Sequence, residues 1–205
     1  CWGLNDFGQS SPPEGIFTYV SAGHADNCAL DASGSITCWG MDNYNQVSDV
    51  PEGTFTDLYG GVQHHCALDA SGSITCWGRD DEGQVSDVPE GTFIDVIGGG
   101  YHNCAIDASG SIICWGRDDW SQVSDAPVEG TFTDVGGGGM HNCAVDVSGS
   151  ISCWGRDDYS QVSNAPVEGT FTDVGAGYYH NCAIEGEGSS DVTCDSDDDD
   201  GNYCG

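Results

Sequence analysis

An all-β array of repeated units is the fold class this sequence predicts, and three observations carry it. The segment HNCAIDASGSIICWG, with Cys104 at its heart, recurs with a period of 38 or 39 residues. Cys28, Cys66, Cys104, Cys143 and Cys182 mark one phase of the repeat, and Cys38, Cys76, Cys114 and Cys153 mark a second. A fixed period of that size is the signature of stacked supersecondary units, none of which can bury its apolar face alone. Glycine and proline also return too often for helices of ordinary length. The 205 residues therefore read as one domain, with repeats at 17–54, 55–92, 93–131, 132–170 and 171–205. Residues 1–16 complete or close the array, and 195–205 form an acidic, Cys-flanked tail.

The elements of one unit follow in order. TFIDV (92–96) is short, apolar and β-branched, as a buried strand requires. HNCAID and SIICWG are two further runs separated by Ala108-Ser109-Gly110, a three-residue loop whose terminal glycine suits a left-handed bulge. The unit closes with RDDWSQVSDAPVEG, which reads as a polar turn, a brief Gln-Val-Ser strand and a Pro/Gly loop.

Such a hairpin dictates which cysteines meet. With Asp31 to Ser35 as the turn, Leu30 opposes Ile36, Ala29 opposes Thr37 and Cys28 opposes Cys38. Directly opposed residues lie about 4.5–5.5 Å apart, within disulfide range. The same arithmetic pairs Cys66 with Cys76, Cys104 with Cys114 and Cys143 with Cys153. Each bond closes a loop of roughly ten residues and contributes about 2.5 kcal/mol through the unfolded chain. The fifth unit differs: its turn is longer and no Trp-Gly follows. Opposing Glu185 with Asp191 sets Cys182 against Cys194 and leaves Cys1 for Cys204; the rival scheme joins Cys1 to Cys182 and Cys194 to Cys204. In both schemes the chain ends meet.

Composition bounds the partners. There are 34 acidic residues against three arginines and no lysine, a formal charge of −31. Phosphate backbones are excluded as partners, because counterion release needs cationic side chains, and anionic membrane surfaces are disfavoured on the same ground. So much like charge makes screening salt, divalent cations or a basic partner favourable to the fold. Twelve cysteines at regular spacing read as a disulfide framework and place the protein outside the reducing cytosol, extracellular or at the cell surface. No run of about 18 apolar residues exists to span a bilayer. The chain opens in mid-repeat without Met, as expected for a piece excised from a longer precursor.

Gly-Gly-X-His-X-Cys-Ala-Ile-Asp-X-Ser-Gly-Ser-Ile-X-Cys-Trp-Gly followed by Gln-Val resembles the regulator of chromosome condensation repeat. It is closest to the short bacterial form, also found in β-lactamase-inhibitor propellers. The match spans almost all of residues 17 to 185. The resemblance implies a β-propeller with one four-stranded blade per repeat, here about five blades where the family usually has seven. Cysteine stands where the family more often has a buried Leu and an Ala. The nuclear exchange-factor role does not follow, since the basic character needed for chromatin is missing.

Candidate sites are sought in what does not repeat. His64, His102, His141 and His180 stand two positions ahead of the hairpin cysteine, with His65 beside Cys66; the first unit has Asp26 in that place and His24 earlier. Propeller symmetry holds such residues apart, so a structural hydrogen bond is expected of them rather than a metal. The Trp-Gly pairs, Trp2 included, and Phe17, Phe55, Phe93, Phe132 and Phe171 are expected in blade packing. Tyr44, Trp120 and Tyr159 occupy a variable turn position where another unit carries Glu82, and variable loop aromatics suit a protein partner or a stacked glycan. Arg79, Arg117 and Arg156 each precede two aspartates and are expected to pair with them. In the tail, Asp195, Asp197, Asp198, Asp199 and Asp200 precede Gly201 with spacing that suggests a calcium loop. Two of its usual acids are missing, and a solvated acidic tail is the competing reading.

No catalytic constellation stands out, so the sequence predicts no enzyme. Two functions fit: a secreted scaffold, self-associating into a fibril or matrix with cation-dependent stability, or an enzyme-inhibitor or lectin-like module that binds through rim aromatics.

Overall fold

In the computed structural model, residues 1–186 and the backbone of 192–194 are described. Among the described residues, fifteen strands form five antiparallel three-stranded sheets in simple up-and-down order. The first blade holds β1 (Phe17–Ala22), β2 (Asp26–Asp31) and β3 (Ile36–Gly40). The second holds β4 (Phe55–Gly60), β5 (His64–Asp69) and β6 (Ile74–Gly78), and the third β7 (Phe93–Gly98), β8 (His102–Asp107) and β9 (Ile112–Gly116). The fourth holds β10 (Phe132–Gly137), β11 (His141–Asp146) and β12 (Ile151–Gly155), and the fifth β13 (Phe171–Ala176), β14 (Asn181–Glu185) and β15 (Val192–Cys194). No described helix is long and apolar enough to cross a membrane.

The hairpin registers match the expectation residue for residue: Cys28 opposes Cys38, Ala29 opposes Thr37 and Leu30 opposes Ile36. Disulfides join Cys28–Cys38, Cys66–Cys76, Cys104–Cys114 and Cys143–Cys153, with Cα separations of 4.0–4.1 Å. In the fifth blade Cys182 opposes Cys194, the register of the first pairing scheme. The side chain of Cys194, and Cys204, lie outside the described residues. Cys1 is exposed.

In the first four blades the hairpin turn is built by its aspartate. Asp31 Oδ1 accepts from the Ser33 and Ser35 amides and the Ser33 hydroxyl. These bonds hold its carboxyl below the ordinary pKa, the Ser33 side chain foremost. Gly34 takes the left-handed conformation, φ 82°, and a Cβ there would press on the Phe55 carbonyl. The Phe55 amide in turn donates to the Gly34 carbonyl at 2.9 Å, so each hairpin tip docks on the first strand of the next blade.

One expectation fails. The Gln-Val-Ser segments form turns, not strands, and among the described residues each blade has three strands rather than four. The reason lies in where the amides go. Asp118 Oδ1 accepts from Val123 N and Ser124 N, while buried Gln122 Oε1 accepts from Trp120 N. Amides held by side chains cannot also serve a strand ladder. Asp42, Asp80 and Asp157 do the same in the other units.

The apolar core lies between blades. In each cluster the cysteine and the branched residue two positions on face the Phe, Val/Leu and Ala of the following blade, joined by its Trp in all but the last. Cys66 and Leu68, for example, pack on Phe93, Val96, Ala105 and Trp115. The same arrangement joins the first blade to the second, the third to the fourth and the fourth to the fifth. Fully burying such a side chain contributes about 1.5–3 kcal/mol. Two repeated positions break the expected packing, both at the start of the chain. Trp2 is 94% exposed, and Phe17 is only partly covered, because no blade surface among the described residues faces them.

A polar relay runs beside this core. His64 Nε2 meets Asn103 Oδ1 of the next blade at 2.8 Å, His102 meets Asn142 and His141 meets Asn181 at the same distance. The Asn103 amide group donates to the Gln84 carbonyl at 2.9 Å, which also receives Trp115 Nε1. That donation orients the amide, so the histidine Nε2 carries the proton. The glycine preceding each histidine by three makes room for its ring: a Cβ on Gly99 would collide with the His102 imidazole. Burial lowers the pKa of His64 and His102 to about 4.

Candidate functional site: an aromatic and arginine rim

The variable turns and the β1–β2-type connections meet along one rim. The backbone amides of Tyr44, Trp120 and Tyr159 are pinned by the buried side chains of Gln46, Gln122 and Gln161. The following residue is left-handed in each case: Asn45, Ser121 and Ser160 at φ 58–60°, where the second blade has Gly83. A serine in that conformation costs about 1 kcal/mol, so these turns hold their aromatic against local preference. All three rings stand half out of the surface.

The arginines tie these rings to others. The Arg79 guanidinium lies over Tyr44 at 5.0 Å and over Tyr101 at 4.9 Å. Arg117 approaches Tyr101 at 5.7 Å. Arg156 lies over Trp120 at 4.9 Å and reaches Tyr159 and Tyr179 at 5.8 Å. Tyr179 also meets Tyr159 and Tyr178 edge-on, at 5.1 and 4.5 Å. Each guanidinium keeps the carboxylate expected of it: Asp81, Asp119 or Asp158, at 2.6–2.8 Å. The Asp158 hydrogen bond raises the Arg156 pKa above its ordinary value. The charge is thus balanced locally, and guanidinium and ring stack on one another while the rings stay partly exposed.

All three rim aromatics expected from the sequence belong to this ladder. Tyr101, Tyr178 and Tyr179 were missed, although a signal existed: the position before each relay histidine is variable, and two of its occupants are tyrosines. The histidines do not converge. His64, His102 and His141 are buried a blade apart, and His65 binds Asp26 Oδ1 at 2.7 Å. Among the described residues no group of three or more His, Cys, Asp or Glu could hold a metal. The calcium-loop candidates Asp195, Asp197, Asp198, Asp199 and Asp200 lie outside the described residues.

A second acidic feature was not foreseen. The Tyr59 hydroxyl donates to Asp57 at 3.0 Å and to Asp95 of the next blade at 3.3 Å. Burial, then the Asp134 carboxylate, raises the Asp95 pKa to about 6. The row runs across blade boundaries.

The family model described as the Regulator of chromosome condensation (RCC1) repeat matches residues 55–84. No curated protein matches the chain by sequence. The CRINKLY WD40 ectodomain of the Arabidopsis thaliana receptor kinase ACR4 is 29% identical, with a TM-score of 0.71 over 87% of this chain and 62% of that one. The ectodomain of the Physcomitrella patens receptor kinase CR4 is 27% identical, with a TM-score of 0.77 over 94% of this chain and 55% of that one. Prp20p from Saccharomyces cerevisiae, at 18% identity, shares the fold with a TM-score of 0.69 over 84% of this chain and 56% of that one. The chain therefore spans less than two thirds of the length of each of these proteins. Its repeat motif, its sheets and these likenesses agree: the chain folds as a β-propeller built from RCC1-like repeats.

Proposed function

We propose that this propeller is a non-catalytic scaffold that binds protein partners, outside the reducing cytosol, through the aromatic and arginine rim. The observation that carries the reading is the ladder itself: six exposed or half-exposed aromatics and all three arginines of the chain on one rim. Tyr, Trp and Arg are the residues in which binding energy concentrates, and turns pinned by buried glutamines lose little entropy when a partner docks. Support for the location comes from the four disulfides and from the likeness to two receptor-kinase ectodomains. The test is capture of extracellular proteins by the chain and by its Trp120→Ala/Tyr159→Ala variant. Loss of capture in the variant supports the rim. Equal capture removes it, and capture of glycans alone would assign the rim to sugar stacking.

A second reading, a building block of an extracellular assembly whose stability depends on cations, is supported by the formal charge of −31, which cations would screen. Electron microscopy of the protein with calcium and with chelator tests it, since polymers should be present in the first and lost in the second.

A further inference from the structure

The rim ladder has a gap at its centre. Arg79, Arg117 and Arg156 occupy one position of the repeat, and each follows by one unit a turn whose tip carries Tyr44, Glu82 or Trp120. Where that tip is aromatic, the guanidinium of the next unit stacks on it: Arg79 on Tyr44 at 5.0 Å and Arg156 on Trp120 at 4.9 Å. A ring of the blade beyond completes the stack, Tyr101 for Arg79 at 4.9 Å and Tyr179 for Arg156 at 5.8 Å. Arg117 has neither. Glu82 stands at the tip before it and Met140 in the blade beyond, and the one described ring near it is Tyr101 of its own blade, at 5.7 Å. Its hydrogen bonding is incomplete as well. Arg79 Nη1 donates to Gln63 at 2.8 Å and Arg156 Nη1 to the Met140 sulfur at 3.7 Å. Tyr101 takes the corresponding place in the third blade, and Arg117 Nη1 has no described partner. The turn before Arg117 is nevertheless intact. Glu82 N donates to buried Gln84 at 2.8 Å, as the aromatic tips do to their glutamines, and Gly83 is left-handed like Asn45 and Ser121. The exposed Glu82 carboxylate forms no ion pair with Arg117 among the described residues; Asp119 does. The frame that holds a ring in three other units thus holds none here.

We infer that a protein partner fills this gap with an exposed tryptophan or tyrosine of its own, the ring stacked on the Arg117 guanidinium and a neighbouring backbone carbonyl accepting from Nη1. This rests on the rim reading above and names the side chain by which the partner enters. Charge selects the occupant. A cationic residue is repelled by Arg117, and a carboxylate by Glu82 and by Asp119, which already holds Nε and Nη2. A neutral ring is attracted to the guanidinium through its negative face. Every group that forms the gap belongs to the second, third or fourth blade, within the array.

The test uses N-acetyltryptophanamide as the probe. The chain's three arginines give three Nε–H signals by NMR, so each is read separately. Titration to about 20 mM is expected to shift the Arg117 signal along a saturating curve and to leave Arg79 and Arg156 in place. Glu82→Tyr supplies the ring from within and is expected to reduce that shift at least about fivefold, whereas Glu82→Ala leaves the gap open and keeps the shift. An Arg117 signal that stays still, moves no further than the other two, or answers N-acetylargininamide instead overturns the inference. Capture lost in the Trp120→Ala/Tyr159→Ala variant while Arg117 stays silent keeps the rim and overturns the gap. Capture unaffected by that variant and by Glu82→Tyr overturns both.

Discussion

The first blade boundary and the three that follow solve one problem with the chemistry reversed. From the second blade to the fourth a buried histidine donates forward to an asparagine. At the first boundary the forward-facing residue is Asp26, and the histidine, His65, sits in the asparagine's place and donates backward. Gln46 shows the consequence: its Nε2 reaches Asp26 Oδ2 at 3.1 Å, whereas Gln84, Gln122 and Gln161 have no described partner for that group. The unit of selection at a boundary is therefore the pair, and a repeat can swap donor and acceptor only if its neighbour swaps too.

Acidification gives the largest expected break. His64 and His102 bind no proton in the folded state until pH falls to about 4, while in the unfolded chain they titrate near 6.5. The folded state thus binds fewer protons across that window, and stability is lost as pH falls from about 6.5 to 4, on the order of 3 kcal/mol per histidine. Chemical denaturation across this range measures it. His102→Gln should flatten the slope by one proton. A slope unchanged in that variant would mean the ring is not held neutral.

Reversing the odd boundary comes next. Asp26→His or His65→Asn alone leaves a buried group without its partner and should cost roughly 3 kcal/mol or more. Together they install the His–Asn pair of the other boundaries, and the double variant should recover most of that loss. If the two costs merely add, the pair is not the unit argued here.

Asp95 sharpens the contrast from the opposite side. Its folded pKa is raised to about 6, so the folded state binds more protons than the unfolded chain between about 4 and 6. This carboxyl favours folding at low pH, and its contribution is lost as pH rises through 6. Asp95→Asn should raise stability at neutral pH by about 1–2 kcal/mol and remove that dependence, as read from melts at pH 5 and 7.5. The rim is expected to matter least for folding. Arg117→Ala breaks an exposed pair with Asp119 and should shift stability by less than about 1 kcal/mol, while weakening partner capture.

Much of this was legible in the residues, and the reasons are local. The hairpin register follows from alternation about a fixed turn, so Cys104 opposite Cys114 could be counted out. The Asp-X-Ser-Gly turn and the aromatic variability at Tyr44, Trp120 and Tyr159 are likewise properties of a few neighbouring residues. The missing fourth strand was misread because Gln122-Val123-Ser124 has strand-like composition, while what forbids a strand is the acceptor Asp118, four to six residues away. The role of asparagine was hidden for a different reason: His64 and Asn103 are 39 residues apart, and nothing within one repeat shows that they touch.

By itself the sequence determined whatever depends on spacing along one strand or across one turn: the repeat, the hairpins, their disulfides and the excess of negative charge. Tertiary structure alone decided what depends on contact between repeats: which histidine meets which asparagine and which rings the arginines bridge. The physical reason is that hydrogen bonding within a hairpin is set by covalent neighbours, whereas packing between blades depends on a rotation that no short stretch of residues encodes.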